Sequence, residues 1–492
     1  MTNNEYTSYS KRIGFIAAAQ MTVFLVRFIQ LPVLTKTRWL DASLYGDWSI
    51  IYVSITLLGP LAALAMEPTL IRFLSSEKNL KTLREDFLSV LFTVLISGTM
   101  VSLILFLCSD IFATAMLHDI NSSSLIKIGS FAVLTQALYV ITVVFFRLRR
   151  QMKRYSTLIM LKPITELVLT VIFLSLGWAI KGVLIAILVS DILCILFALF
   201  LILRQIGFNF PRFTRIRGYL RYGLPIIPNE AMIWIITFSD RYLIGYFMEA
   251  EDVGIYTAAY RICNIIYLIP AILRVALFPT IAKLFDENNI EKTKTYLKYT
   301  LKYLMILSIP AAAGISILAM PLIKLFSAPE FVTGSAVMPY VSFGFVLFGA
   351  YHICVYTIYL ANKTYWALRL LGISALLNII LNIVMIPHLG VVGAAIATLI
   401  AYGALGILTL LVSLRYIKFD LSISSQLKSV AAAAIMALCI WAIAPSGTVD
   451  VILTVLLGVL VYFATMVLFR GFSRREIALF KDLTLGFIRR VG

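Results

Sequence analysis

The feature that most constrains this 492-residue chain is a succession of about fourteen apolar runs, each of membrane-crossing length and separated from the next by short polar breaks. An α-helix rises about 1.5 Å per residue and a bilayer's hydrocarbon core is about 30 Å thick, so about 20 apolar residues cross it. Runs near 13–34, 44–66, 87–108, 125–146, 158–177, 183–203 and 222–247 meet that length. So do 254–280, 299–320, 335–360, 366–386, 391–414, 427–444 and 450–469. Charged residues make up only 13% of the chain, against about 25% in soluble domains. The expected fold is an all-α polytopic membrane protein.

The breaks between runs alternate in Lys and Arg content, as they should if each run crosses the bilayer once. Lys11/Arg12, Arg72 to Arg84, RLRRQMKR at 147–154, Arg204 to Arg221, Lys283 to Lys302, Lys363/Arg369, Arg415 to Lys428 and the tail from Arg470 are rich. HDINSSS (118–124), MEAEDVG (248–254), SAPEFVTG (327–334), PHLG (387–390) and APSGTV (444–449) are poor. This pattern predicts cytoplasmic N- and C-termini in a multi-pass protein of the cell membrane. The formal charge of +18 is then a lining of the cytoplasmic face rather than a nucleic-acid footprint.

The first run has no small-residue cleavage site ahead of it and reads as an uncleaved span. Cys108, Cys194, Cys263, Cys354 and Cys439 all fall in apolar runs and read as small buried hydrophobes. Residues 471–492 place Ile477, Phe480, Leu483 and Phe487 at helical spacing among basic residues, the pattern of an amphipathic helix at the cytoplasmic interface.

Two phrases recur. LGWAIKGVLIAIL (176–188) closes the fifth loop of the runs, and LGVVGAAIATL (389–399) does the same about 210 residues later. LYGDWSII (44–51), followed by Pro68 and Arg72, pairs with DVGIYTAAY (252–260), followed by Pro279 and Lys283, at a similar offset. Each repeat holds six helices, an even number, so both copies enter the membrane in one orientation. Parallel repeats of this kind pack about an axis along the membrane normal with a cavity between them. The expected organisation is a six-helix lobe over 1–210, a second over 211–416, two further transmembrane helices over 417–470, and the tail 471–492. The small residues of GVVGAAIAT suit either close helix packing or cargo contact.

Three segments in order, DASLYGDW…PTLIRFLSSE (41–77), YGLPIIPNE…FSDRYLIGYF (222–247) and NIILNIVMIPHLGVVGAAIATLIAY (378–402), resemble the polysaccharide-biosynthesis, O-antigen-type oligosaccharide flippases of the multidrug/oligosaccharidyl-lipid/polysaccharide exporter superfamily. The resemblance implies a V-shaped two-lobed bundle that moves a polyprenyl-diphosphate-linked oligosaccharide from the cytoplasmic to the outer leaflet by alternating access. Its partners would be that glycan lipid, membrane lipids and glycan-assembly enzymes, with a monomer sufficient for transport.

Charges inside the runs carry the chemistry, since one near a bilayer's centre costs about 2.5–3.5 kcal/mol on insertion scales. The resemblance implies cationic cavity residues on the first and eighth helices, which makes Arg27, Arg261 and Arg274 candidates to meet the diphosphate, with Arg241 a fourth. A guanidinium suits that group because its planar fork donates two parallel hydrogen bonds. Pairing with acids or snorkelling is the alternative, above all for Arg241 beside Asp240. Glu67, Glu166, Asp191, Glu230 and Asp240 could bind H⁺ or Na⁺ and couple transport to a gradient, or could simply neutralise arginines. Prolines 225, 228, 270 and 310 suit hinges or packing kinks.

No cofactor is expected beyond such an ion. His118, His352 and His388 have no metal-ligand spacing, and no GxxxxGK[ST] phosphate loop is present. A multidrug or organic-cation antiporter of the same fold would need acids rather than arginines facing its cargo. A membrane glycosyltransferase or polymerase would need a long extramembrane loop, and the outer loops are short.

Overall fold

The computed structural model describes residues 3–36, 39–445, 447–472 and 476. The expected amphipathic tail, apart from Gly471, Phe472 and Glu476, lies outside the described residues. The chain opens with α1 (Asn3–Thr35), α2 (Ala42–Ala62), α3 (Met66–Leu74), α4 (Leu80–Leu107), α5 (Ser109–Met116) and α6 (Ser123–Leu148). There follow α7 (Met152–Ser175), α8 (Ala179–Ile206), α9 (Ile216–Gly223), α10 (Ile227–Phe247), α11 (Ala250–Cys263) and α12 (Leu268–Asp286). The last are α13 (Ile290–Ile317), α14 (Ala319–Phe326), α15 (Met338–Leu360), α16 (Thr364–Tyr416), α17 (Ile423–Ile443) and α18 (Thr448–Leu468). Side-chain caps mark where several begin: Asp41 accepts from Leu44 N at 2.8 Å, and Asn79 from Lys81 N at 2.9 Å.

Among the described residues, twelve segments are long and apolar enough to cross a membrane. The sequence predicts about fourteen, and two places account for the difference. The runs 366–386 and 391–414 both lie in the 53-residue α16, which is interrupted at Gly390 (φ 58°, ψ −143°). The run 222–247 contains α10, whose 21 residues include Glu230, Asp240 and Arg241, too much charge for its composition alone to mark a span.

The recurring phrase LG has a common local form. Gly177 and Gly390 both take a left-handed φ, +80° and +58°, which a side chain would oppose. The glycine a few residues on sits against the preceding helix in each copy. A Cβ on Gly182 would lie 2.8 Å from Phe173 Cβ, and one on Gly393 would lie 2.5 Å from Met385 O. Each phrase thus builds a corner in which the next helix starts tight against the last.

The chain divides into two compact units. The first holds Met1–Arg261, Phe326–Gly334 and Leu371–Thr398. Within it α6 is central, packed on α2, α4 and α8, while α7 packs on α1 and α8. Helices α2 and α11 cross with no side chain between them: a Cβ on Gly46 would come 1.7 Å from Ala250 O, and one on Gly254 would come 2.0 Å from Ala42 O. Further along, Ser49 Oγ and Thr257 Oγ1 hydrogen-bond at 2.8 Å. The contacts are reciprocal, and 42 to 250, 46 to 254 and 49 to 257 are each 208 residues apart.

The second unit holds Ile262–Leu325, Ser335–Leu370 and Leu399–Gly492. Here α13 is central, packed on α12, α15 and α17, with α18 against α17. Leu277, Ile281, Leu297, Leu301, Leu304, Ile353 and Cys354 form one core cluster. Lys302, buried on α13, pairs with both carboxylate oxygens of Glu476 at 2.8 Å.

Candidate functional site

Three of the predicted charges in the first unit fall into one polar cluster among α1, α6, α7 and α8. Asp191, fully buried on α8, receives Lys162 Nζ of α7 at 2.5 Å and Thr135 Oγ1 of α6 at 3.2 Å. The same Nζ donates to Gln136 Oε1 at 2.5 Å and lies 4.6 Å from the Tyr139 ring. Glu166, one turn beyond Lys162, accepts from Gln30 Nε2 of α1 at 3.3 Å. Arg27, one turn before Gln30, is exposed and lies within the electrostatic reach of Tyr52, Glu166, Tyr139 and Asp191. Two acids therefore face two cations, and the cluster is nearly balanced. The sequence reading overlooked Lys162, although a lysine inside an apolar run beside Pro163 violates the same rule that singled out the arginines.

Asp240 and Arg241 form a second cluster. Although neighbours on a helix diverge by about 100°, the long guanidinium side chain turns back, and its Nη1 lies 2.5 Å from Asp240 Oδ1 and 2.8 Å from Thr237 O. Tyr256 Oη donates to Asp240 Oδ2 at 2.5 Å, and Thr398 Oγ1 lies 3.5 Å from the same oxygen. The Arg241 guanidinium also lies 3.9 Å from the Tyr260 ring centre. Both charged side chains are 3% exposed, so the pair is dry and each charge lies against its opposite.

Arg261 on α11 differs. Its guanidinium lies 5.0 Å from the Trp48 ring, which is itself stacked between Tyr45 and Tyr52 at 5.2 and 5.1 Å. Its Nη1 is buried and has no hydrogen-bond acceptor among the described residues. Glu67 is half-buried and takes Arg147 Nη1 at 3.1 Å. Together with the exposed Glu230 these two line a cavity of about 400 Å³ formed by the ends of α2, α3, α6 and α10.

In the second unit, Arg274 of α12 is half-buried. Its Nη1 lies 2.9 Å from His352 Nδ1 on α15, and His352 Nε2 lies 3.1 Å from Tyr267 Oη. Arg274 Nε is buried without a partner among the described residues. The lone histidine gave no signal in sequence, because it acts on a cation 78 residues away. Among the described residues no three His, Cys, Asp or Glu side chains gather as a metal site would need.

The arrangement offers buried cation donors without acceptors at Arg261 and Arg274, a balanced ionic cluster at Arg27, Lys162, Glu166 and Asp191, and a closed ion pair at Asp240 and Arg241. Comparison with known proteins places these features. The family model described as MatE matches residues 225–384. The chain is 30% identical over 269 residues to a "Probable flippase AglR" of Haloferax volcanii, covering 52% of this chain and 55% of that one. It is 26% identical over 192 residues to the "Probable low-salt glycan biosynthesis flippase Agl15" of the same organism, covering 39% of this chain and 41% of that one. The chain thus spans about half the length of the curated relatives it matches. Its fold is that of a solved structure described as "Lipid II flippase MurJ, inward closed conformation", with a TM-score of 0.75 at 19% identity over 92% of this chain and 98% of the other. The model described as "Polysaccharide biosynthesis protein" matches residues 10–285, more than half of the sequence, and the chain belongs to that family.

Proposed function

We propose that this chain is a flippase that carries a polyprenyl-diphosphate-linked oligosaccharide from the cytoplasmic to the outer leaflet of the cell membrane by alternating access. The observation that carries the reading is the pair of intramembrane arginines, Arg261 and Arg274, with buried N–H groups that no protein acceptor meets. Leaving such donors empty in a low-dielectric interior is costly, and an oxyanion that visits them during transport repays that cost. Arg27, exposed beside its acids, is the third residue assigned to the diphosphate. Arg241 is assigned to joining α10 with α11, because its charge is already met by Asp240.

Both termini lie on the cytoplasmic side in this proposal, following the Lys and Arg bias of the loops. The two six-helix repeats are supported by the reciprocal crossing of α2 and α11 at a constant 208-residue offset. Glu166 and Glu230 are proposed to couple transport to H⁺ or Na⁺, with Glu67, Asp191 and Asp240 held in ion pairs. An organic-cation antiporter is the second reading, favoured by the MatE match over 225–384 and by Glu67 and Glu230 lining one cavity.

The test is a reconstituted assay. Purified protein in liposomes with a fluorescent polyprenyl-diphosphate sugar should exchange that lipid between leaflets without ATP. No exchange, combined with ion-coupled efflux of an organic cation, would establish the second reading instead.

A further inference from the structure

Arg274 has an unusual partner. Among the described residues no carboxylate lies within ion-pairing distance of it, and its Nη1 instead meets a ring nitrogen, His352 Nδ1, at 2.9 Å. A guanidinium has only donors and does not lose its proton in proteins. The short contact therefore requires a lone pair on Nδ1, which makes the imidazole neutral with its hydrogen on Nε2. From there Nε2–H can donate to Tyr267 Oη at 3.1 Å. The ring cannot easily turn away from this arrangement, since Phe348 packs edge-on at 4.5 Å, with Tyr351 at 5.0 Å and Tyr267 at 5.4 Å. One turn earlier, Gly349 lets Pro270 and Leu304 close in: a Cβ there would lie 3.4 Å from Pro270 Cγ and 3.3 Å from Leu304 Cδ1.

The guanidinium is thus held at Nη1, while Nε is buried and unmatched. The Nε edge of an arginine is one that binds an oxyanion by two parallel hydrogen bonds. We propose that His352 is a positioning residue: as a neutral Nε2–H ring it fixes Arg274 at Nη1 and so presents the Nε edge to a phosphate group. This deepens the flippase reading and rests on it for the identity of the phosphate as part of the carried lipid diphosphate.

A consequence follows for pH. A second proton on His352 would replace the acceptor with a donor and set two cations 2.9 Å apart. The groups facing the ring are Arg274 and Tyr267 from the α12 side, and Tyr351 on α15 itself. Tyr402 of α16 stacks on Phe348 behind it, and α13 presents Leu304 at the level of Gly349. Oxyanion binding at Arg274 should therefore weaken as His352 takes up a proton.

The test uses the full-length protein with inorganic diphosphate as probe, read by thermal stabilisation from pH 8 down to the most acid pH at which the protein stays folded, beside lipid flipping in liposomes. His352→Ala should weaken diphosphate binding about tenfold, the effect of losing one hydrogen bond to a charged group. His352→Gln, whose amide offers both an acceptor and a donor, should keep most of the affinity and lose the acid-side decline. Nitrogen-15 spectra of His352 in the wild type should show a bare Nδ1 near neutral pH, a readout that does not depend on whether the alanine variant folds. Wild-type affinity and pH profile in both variants, or a proton on Nδ1 near neutral pH, would overturn the positioning role. If the wild type flips no lipid-linked sugar but its diphosphate binding still depends on His352, the flippase reading fails and the positioning role stands. If flipping occurs and diphosphate binding ignores His352, the reverse holds.

Discussion

Arg241 and Arg274 are the same side chain placed in apolar helices of the two units, and they are treated in opposite ways. Arg241 is 3% exposed and meets Asp240, a backbone carbonyl and an aromatic face, so its charge is cancelled where it lies. Arg274 meets a histidine ring nitrogen instead of a carboxylate and keeps a buried N–H without an acceptor. The difference teaches that an intramembrane charge is not by itself a sign of function. In the proposed mechanism, what separates a structural arginine from a working one is whether its donors are already met by the protein. By that measure Arg261, whose Nη1 is also unmatched, belongs with Arg274.

The sharpest way to break this comparison is to remove the acid from the closed pair. Asp240→Leu would strand Arg241 as an uncompensated buried charge and should cost about 3–5 kcal/mol, seen as a lower thermal midpoint in detergent. Adding Arg241→Met should recover most of that loss, since a packed apolar pair is often as stable as a buried ionic one. A double variant no more stable than the single one would mean that Arg241 does more than balance Asp240.

The opposite pattern is expected at the open arginines. Arg261→Ala and Arg274→Ala should each slow lipid flipping about tenfold or more, for the loss of a charge-assisted contact. Arg261→Ala should change stability by less than about 1 kcal/mol, because no protein hydrogen-bond acceptor of its Nη1 loses a partner, and Arg274→Ala by about 1–2 kcal/mol, because His352 Nδ1 loses its donor. Full flipping activity in both variants would remove the cationic mechanism.

Smaller still is Glu166→Gln, which keeps the shape of the contact with Gln30 and removes only the charge. Transport should continue but lose its dependence on an ion gradient, and Glu230→Gln should be compared in the same assay. If ion dependence survives in both, neither carboxylate couples transport.

The smallest effect is expected at Asp110, on the short α5. The Ser123 hydroxyl, and after it the Lys127 ammonium at 3.6 Å, hold this carboxyl below the usual range. A lowered folded-state pKa gives stability above the unfolded value near about pH 4 and loses it as pH falls further. Asp110→Asn should therefore flatten the acid end of the stability profile slightly and leave transport unchanged, as thermal midpoints at several acid pH values would register.

Much of the architecture was legible in the chain. Apolar length depends only on the bilayer, which acts on every segment in the same way, and so it reads directly from sequence. Gly177 and Gly390 were legible too, as a repeated phrase, because a left-handed turn needs a residue without a Cβ. The site was less so. Residues 27, 166, 191, 240, 241, 261 and 274 stood out as charges in apolar surroundings, but which of them were already matched depended on partners far along the chain. Lys162 was visible and overlooked. His352, Tyr267 and Gln30 were not visible, since uncharged polar and aromatic side chains are ordinary in spans until a cation is set against them.

The crossing of α2 and α11 has a consequence for how this sequence can vary. At Gly46 and Gly254 even a methyl group would strike a carbonyl of the opposite helix, at 1.7 and 2.0 Å. Widening the gap for one side chain moves both helices apart and so relaxes the demand on the other. When natural relatives are aligned, these two columns should drift as a pair, glycine with glycine or larger with larger, and chains that mix the two should be rare.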